Sequence, residues 1–376
     1  MQALVLAGGE GTRLRPLTLT TPKPALQLVD RPFLRFMIDW LARYGVDEVV
    51  VASGFGADEL RTALGDGADG GPSIGYITED EPLGTGGPLR LAAEEGVLGD
   101  RFLVLNGDVL TDLDLGDLIR AHEATGAVAT LALYPVDDPT AYGLVRRNGG
   151  PKAPGEAAED PTGEVLEFLE KPEPDAIDTD EISAGAYVLE RQVIDLIPPG
   201  RNVSIEREVF PRLVGHGLYG HSLRGYWMDI GTPERYLQAS WDILESRVET
   251  EAGARFDRDG LLDESGGGID RAAAVRPPAL VQGDVTAAPR ASIGPRAVIG
   301  RGSQLDDGAE VSSSVLLPGT RIGAGARVTG SILAPGARIG TNAYVGPGAV
   351  LGEGCEVEAG AELGAGARVG PGERIA

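Results

Sequence analysis

Cysteine is almost missing from this chain: Cys355 stands alone among 376 residues, which excludes an internal disulfide framework and any cysteine-only metal cluster. Lysine is nearly as scarce, with Lys23, Lys152 and Lys171 the only three among 33 basic residues. No apolar run approaches the ~18 residues of a membrane span. Positive charge is also in deficit, since 33 Lys and Arg against 57 Asp and Glu give net −24. Such a surface repels phosphate backbones and anionic membranes, so neither nucleic acid nor a membrane is expected as a partner. The stretch Met1–Gly8 has no basic leader and meets glycine after five apolar residues, so it reads as a strand rather than a signal peptide, and a cytoplasmic protein is expected. What remains is an ordinary globular composition, 42% hydrophobic and 24% charged, long enough for two or three domains at ~150 residues each.

Up to about residue 245, short apolar strands alternate with amphipathic helices: Ala3–Ala7, then Phe33–Tyr44, Glu48–Ala52 and Arg101–Leu105. The alternation predicts an α/β domain with a mostly parallel sheet. Residues 147–163, rich in Gly, Pro, Ala and Glu, read as an exposed hairpin tip, and a helix is expected over Pro233–Val248. Residues 249–278 are polar and glycine-rich and read as a connection. The rest is a repeat. Ile339, Val345, Leu351, Val357, Leu363, Val369 and Ile375 stand six residues apart. Ile293, Ile299, Leu305, Val311 and Leu317 keep the same period before a slip at Ile322 and Val328. Two residues ahead of the last set stand Ala337, Ala343, Ala349, Cys355, Ala361, Ala367 and Glu373, small in six of seven cases. A large and small pair every six residues predicts a parallel β-helix, with Cys355 a packed structural thiol. The expected division is 1–248, a connection over 249–278, and the repeat over 279–376.

The first strand runs into Gly8-Gly9-Glu10-Gly11-Thr12-Arg13, where glycines let backbone amides approach an anion and Arg13 adds a cationic fork. The loop is neither a Walker A motif nor the dinucleotide fingerprint. Ten residues on, Pro22-Lys23-Pro24 stiffens the chain around a scarce lysine, a point charge suited to a polyphosphate. Asp108 ends an apolar strand at the edge where open α/β sheets place ligands, and Asp229 follows Tyr226-Trp227.

The loop Gly8–Thr18 with Pro22-Lys23-Pro24 resembles the signature of the sugar-1-phosphate nucleotidylyltransferases, or NDP-sugar pyrophosphorylases, and within that family it is most similar to the mannose-1-phosphate guanylyltransferases. Further motifs follow in order: Pro82–Leu89, Leu105–Val109, Tyr142-Gly143, Phe168–Pro172, Ser204–Pro211 and Trp227–Pro233. The resemblance implies a Rossmann-like nucleotidyltransferase domain followed by a left-handed β-helix. It also implies attack by a sugar 1-phosphate on the α-phosphorus of an NTP, releasing pyrophosphate, with Arg13, Lys23, Asp108 and Asp229 as catalytic residues and Asp108 and Asp229 as ligands of Mg²⁺. Nucleotide contacts fall to Leu6, Ala7, Gly8, Gly9, Gly11, Thr12, Arg13, Lys23, Glu79, Pro82, Gly84, Thr85, Asn106, Gly107 and Asp108. Sugar-phosphate contacts fall to Tyr142, Gly143, Glu170, Lys171, Ser183, Gly185 and Asp229, with Lys171 on the phosphate and Glu170 on sugar hydroxyls.

Glu79 stands where uridylyl- and thymidylyl-transferring relatives carry glutamine. A carboxylate only accepts, which matches the two N–H donors of guanine and opposes the carbonyls of uracil and thymine. GTP is the expected donor, with CTP, ATP, dTTP and UTP the alternatives. Mannose-specific relatives read Asn-Ala-Gly where this chain has Ser183-Ala184-Gly185, so glucose, heptose or cyclitol 1-phosphate stand as alternative acceptors to mannose 1-phosphate. Acyl transfer by the repeat would need a histidine base, but His122, His216 and His221 all precede it and are expected at helix or loop surfaces. A non-catalytic regulatory paralogue would show a damaged loop or lost aspartates, and this chain shows neither. The repeat is therefore expected to serve homo-oligomer assembly.

Overall fold

The computed structural model describes residues 1–54, 56–67 and 71–376. By packing, the chain divides into two compact units, one of Met1–Gly9 with Met37–Trp227 and one of Glu10–Phe36 with Met228–Ala376.

The first unit is built on a sheet of nine strands: β1 (Gln2–Leu6), β2 (Glu48–Ser53), β3 (Ser73–Thr78), β4 (Arg101–Asn106), β5 (Ala129–Pro135), β6 (Gly143–Arg147), β7 (Thr162–Glu170), β8 (Glu181–Glu190) and β9 (Leu218–Ser222), in spatial order 3-2-1-4-8-5-9-7-6. Strands β3, β2, β1 and β4 are mutually parallel, with Leu6 opposite both Ala52 and Asn106. Their interior residues are apolar without alternation: Ala3–Val5, Val49–Ala52 and Phe102–Leu105 are at most 2% exposed, as expected of strands covered on both faces. Beyond β4 the sheet is mixed: β8 runs antiparallel to both β4 and β5, β9 runs parallel to β5, and β7 runs antiparallel to β9 and β6. Helix α1 (Phe33–Arg43) buries Phe33, Leu34, Met37, Ile38, Trp40 and Leu41, the stripe its spacing dictates. Helix α2 spans Ala57–Leu64 and α3 spans Gly87–Glu94. Helix α4 (Leu115–Thr125) starts at Asp114, whose side chain accepts from the Asp117 N–H at 3.0 Å, and stops at Gly126 in the left-handed region.

Three expectations are corrected here. His122 and His221 are interior, 0% and 3% exposed, while His216 is exposed. His122 lies on the sheet-facing side of α4, 2.9 Å from Thr130 Oγ1 and 3.1 Å from Glu190 Oε1, and His221 lies within β9, bonded to Thr162 and Asp117. Polar partners on neighbouring elements satisfy both rings, so burial carries no unpaired-group penalty. Arg147, placed in the exposed tip, belongs to β6 and is 6% exposed, with its Nε and Nη2 each 2.9 Å from the Glu181 carboxylate. The tip itself is open, and Lys152 pairs there with Glu159.

In the second unit, residues 257–376 wind into a three-sided parallel β-helix, consistent with the left-handed form. One face stacks Leu261–Asp263, Ala279–Val281, Ala297–Ile299, Val315–Leu316, Ile332–Leu333, Val350–Leu351 and Arg368–Val369. Coiling begins within the polar stretch 249–278, whose Leu261–Asp263 and Ala274–Val275 already pair in parallel with the next coil. Cys355 is fully buried in the small-residue column, and burial pushes its thiol up to about 11. The third correction is Leu317, since Leu316 occupies the inward column instead. Six-residue steps therefore shorten to five at Val311–Leu316 and Val328–Leu333, rather than at Ile322. At those two corners Ser314 and Ser331 replace the usual alanine, and the Ser331 N–H donates to Ser314 Oγ at 3.1 Å.

The face carrying Val315 also presents an outward apolar stripe, Leu280, Val298, Val315, Ile332 and Val350, all 0% exposed. Helix α5 (Pro233–Leu244) lies along it. Its last turn meets the early coils, with Trp241 under the Arg296 guanidinium at 5.4 Å, while Glu234 in its first turn sits 3.7 Å from Arg368 of a late coil. Its Tyr236, Leu237, Ser240, Ile243 and Leu244 are buried, with the Tyr236 hydroxyl donating to Gln27 O.

Candidate functional site

In the first unit, the carboxyl ends of β1, β2 and β4 converge. Ala7 N–H donates to Ala52 O at 2.8 Å, Gly107 N–H to Leu6 O at 2.9 Å, and Glu79 N–H to Ser53 O at 2.9 Å. Two glycines are needed here for space: a Cβ on Gly107 would lie 2.8 Å from Leu6 O, and one on Gly8 would lie 2.9 Å from Glu79 Oε1. The Glu79 carboxylate thus leans over the start of the glycine loop. Its Oε2 accepts from the Leu83 N–H at 2.9 Å, and partial burial holds its carboxyl above the ordinary carboxylate value despite that bond. The segment after it is pinned down. Gly84, in the left-handed region, has Val203 O 2.5 Å from where a Cβ would be, Gly86 N–H donates to Val203 O, and Asn202 donates to Pro82 O. Gly8 and Gly9 are exposed, as ligand-facing backbone requires.

Past β4 the chain turns through Gly107 and half-buried Asp108. Asn106, at the strand end, faces Gly185 of β8, whose φ of 73° and 2.8 Å from a would-be Cβ to Asn106 Nδ2 admit only glycine. The Asn106 Oδ1 is buried without a hydrogen-bond partner among the described residues, an acceptor left open beside the predicted site.

The predicted sugar-phosphate residues of this unit cluster on β6, β7 and β8. A Cβ on Gly143 would lie 2.5 Å from the Phe168 ring and 3.2 Å from Glu170 Oε2, so the glycine leaves room for both. Burial, then the charge of Glu206, pushes the Glu170 carboxyl up, while Lys171 opposes them. Lys171 is exposed and holds φ 54°, a left-handed conformation that costs a β-carbon-bearing residue of order 1 kcal/mol, and its N–H donates to Tyr142 O at 2.9 Å. Ser183 donates to the Tyr187 hydroxyl at 3.3 Å, and burial, with Glu206, Glu170 and Asp108 nearby, pushes that phenol well up. Trp227 donates from Nε1 to Ala184 O at 2.8 Å and meets the Tyr142 ring edge-on at 5.3 Å. The sequence reading assigned no site role to Tyr187, Glu206 or Trp227. Glu206 and Trp227 stood inside quoted motifs, which was the available signal, whereas Tyr187 reads as a core strand residue.

The second unit holds Gly11, Thr12, Arg13, Lys23 and Asp229. Gly11 is left-handed at φ 62°, and its carbonyl accepts from the Leu14 N–H and Thr18 Oγ1, both at 2.9 Å. A Cβ there would press on Thr18 and Lys23 at 3.0 and 3.1 Å, so the loop glycine and the buried Lys23 pack together. Thr12 and Arg13 are exposed. Arg13 reaches the segment that carries Asp229: a Cβ on Gly231 would lie 2.6 Å from Arg13 Nη2 and 3.1 Å from Asp229 Oδ2. Asp229 is ion-paired with Arg235, one turn into α5. Asp108 and Asp229 fall in different units.

Open glycine amides, fixed cations and acceptor-only carboxylates are the equipment for binding polyphosphate and polyhydroxyl groups. Residues 2–246 match the family described as Nucleotidyl transferase, and residues 275–375 match the GMPPB C-terminal domain. The mannose-1-phosphate guanylyltransferase of Mycobacterium tuberculosis is 39% identical over 325 residues, covering 85% of this chain and 80% of that one. The mannose-1-phosphate guanyltransferase of Candida albicans is 39% identical over 249 residues, 65% of each. The crystal structure of HddC from Yersinia pseudotuberculosis complexed with GMP-PN is similar at 27% identity and a TM-score of 0.52, over 64% of this chain and 97% of that one. The first of these matches takes in well over half the chain and every glycine, lysine and carboxylate placed above, and on that ground the chain belongs to the nucleotidyl transferase family.

Proposed function

We propose that the protein transfers GMP from GTP to mannose 1-phosphate, releasing pyrophosphate and forming GDP-mannose. The observation that carries this reading is Glu79. Its carboxylate leans over Gly8 at the head of the loop, where an acceptor-only group pairs with the N1–H and N2–H donors of guanine. The names of the relatives at 39% identity support the same donor and acceptor. Arg13 and Lys23 would neutralise the triphosphate, and Lys171 would hold the phosphate of the sugar 1-phosphate, because attack of one anion on another is governed by charge neutralisation and alignment.

Among the described residues no group of three or more His, Cys, Asp or Glu converges on one point. Acceptor-only carboxylates at Asp108 and Asp229 suit a hard cation such as Mg²⁺, which takes one or two carboxylates and completes its shell with water and phosphate oxygens. Asp108 in the first unit and Asp229 in the second are the carboxylates proposed for it, and it would supply charge neutralisation at the phosphates. No helix among the described residues is long and apolar enough to cross a membrane, and the reading places the enzyme in the cytoplasm. The catalytic chemistry is assigned to 1–248 and assembly into a homo-oligomer to residues 279–376 of the β-helix.

The test is pyrophosphate release with Mg²⁺, crossing GTP, CTP, ATP, UTP and dTTP against mannose 1-phosphate and glucose 1-phosphate. Turnover led by GTP with mannose 1-phosphate is expected. Turnover led by another nucleotide overturns the role of Glu79, and GTP turnover that is weak on both sugars points to a different acceptor through Ser183.

A further inference from the structure

Residues 205–209 form a single π-type turn, a geometry that recurs at functional sites because it re-aims a side chain. Glu206 rides on it. Its Oε2 accepts from Thr85 Oγ1 at 2.5 Å and from Ser204 Oγ at 2.8 Å. Thr85 Oγ1 is itself fixed by the Ile205 N–H at 2.9 Å, so the hydroxyl must give its proton to Glu206. The turn is locked from behind by Phe210, whose ring packs on Tyr187 at 5.0 Å and on Phe168 at 5.4 Å. Those two strands also carry Ser183 and Glu170. Glu206 is half-buried, and its charge is felt at both Glu170 and Tyr187. The Glu206 charge opposes ionisation of half-buried Glu170, so the two carboxylates are accommodated together best when both find donors. Both anchoring bonds fall on Oε2, and neither uses Oε1. Since Thr85 belongs to the pinned segment 82–87 beside Glu79, the same bond ties the base-reading loop to the sugar side.

We infer that Glu206 is a specificity residue for the acceptor, taking through Oε1 a hydrogen bond from a sugar hydroxyl that Glu170 does not reach. The inference rests on the sugar-phosphate reading above and deepens it. A carboxylate pair selects a polyhydroxyl acceptor, because a hydroxyl can donate to each and a deoxygenated position leaves one carboxylate without its donor.

The experiment compares wild type with E206Q and S204A, the second removing one anchor while keeping the carboxylate. KM and kcat are measured for mannose 1-phosphate, its monodeoxy analogues and GTP, and GDP-mannose and GDP are titrated calorimetrically. For E206Q, KM for mannose 1-phosphate is expected to rise about 10- to 100-fold, the worth of a hydrogen bond to a charged group. KM for GTP should stay within about twofold, since uniform binding is lost only on the sugar side. GDP-mannose affinity should fall with it while GDP affinity holds. One monodeoxy analogue, poor for wild type, should lose its disadvantage in E206Q. S204A should show the same sugar-selective change to a smaller extent. An unchanged sugar KM in both variants, or equal shifts for GTP and sugar, overturns the inference. If wild type binds GDP-mannose no tighter than GDP, the functional reading itself fails instead.

Discussion

At the scale of single residues the site depends on which groups can only accept. Glu79 is held above the ordinary carboxylate value by burial, so acidification protonates it earlier than an exposed glutamate. Once protonated it offers guanine N1–H a donor instead of an acceptor. KM for GTP should therefore rise as pH falls, starting above the ordinary carboxylate range. E79Q should flatten that profile, weaken GTP about 10-fold or more and favour UTP and dTTP, whose carbonyls an amide can meet. An unchanged base ranking in initial-rate assays would remove Glu79 from the base site. Asp108 makes a separate prediction: D108N should lower kcat by about 100-fold or more while thermal unfolding is unchanged, since charge neutralisation at the phosphates is lost and the fold is not. Near-full activity at saturating Mg²⁺ would remove Asp108 from the metal site.

At the scale of elements, buried polar groups and stripes decide stability. His122 joins α4 to the sheet, and burial lowers its pKa below the ordinary 6.5. The unfolded chain then takes up a proton below that pH that the folded chain refuses, so stability is full above 6.5 and is lost as pH falls below it. Glu190, held below its ordinary value by His122 and Arg101 despite some burial, acts in the same direction. The denaturation midpoint of wild type should fall on acidification below pH 6.5, and H122Q should show a shallower fall. The outward stripe of the β-helix makes a different test. Ile332 is fully buried under the region that α5 lines, so I332A should cost about 2–5 kcal/mol in denaturant titration, whereas an outward residue open to water would cost almost nothing. The β-helix also shows where a periodic pattern misleads. Leu316 and Leu317 are both aliphatic, and counting in sixes selects Leu317. The small-residue column resolves the choice, because Ser314 stands two before Leu316 while bulky Val315 stands two before Leu317.

At the scale of the whole molecule, a net charge of −24 keeps copies apart unless a specific surface overcomes it. One outward face of the β-helix is taken by α5. The assembly proposed for the β-helix would use the other faces, where Arg321, Arg327 and Arg338 are exposed, or the last coil. Sedimentation of the full chain should give a multiple of 39.1 kDa, and a monomer at micromolar concentration would refute the assembly role.

The sequence by itself determined the alternation of strands and helices, the six-residue repeat and the glycine loop, and it supplied the charged residues proposed for the site. Periodicity and chain-local motifs are written in consecutive residues, and the structure keeps the elements to within a few residues: the helix expected over Phe33–Tyr44 spans Phe33–Arg43, and the strand expected over Arg101–Leu105 spans Arg101–Asn106. What the sequence left open depends on partners far along the chain. The interior places of His122 and His221 follow from Glu190 and Thr162, and the Glu206 carboxylate is anchored by Thr85, 121 residues earlier. A polar residue is legible as buried, or as aimed at a site, only when its hydrogen-bond partner is known, and only the tertiary structure brings that partner to it.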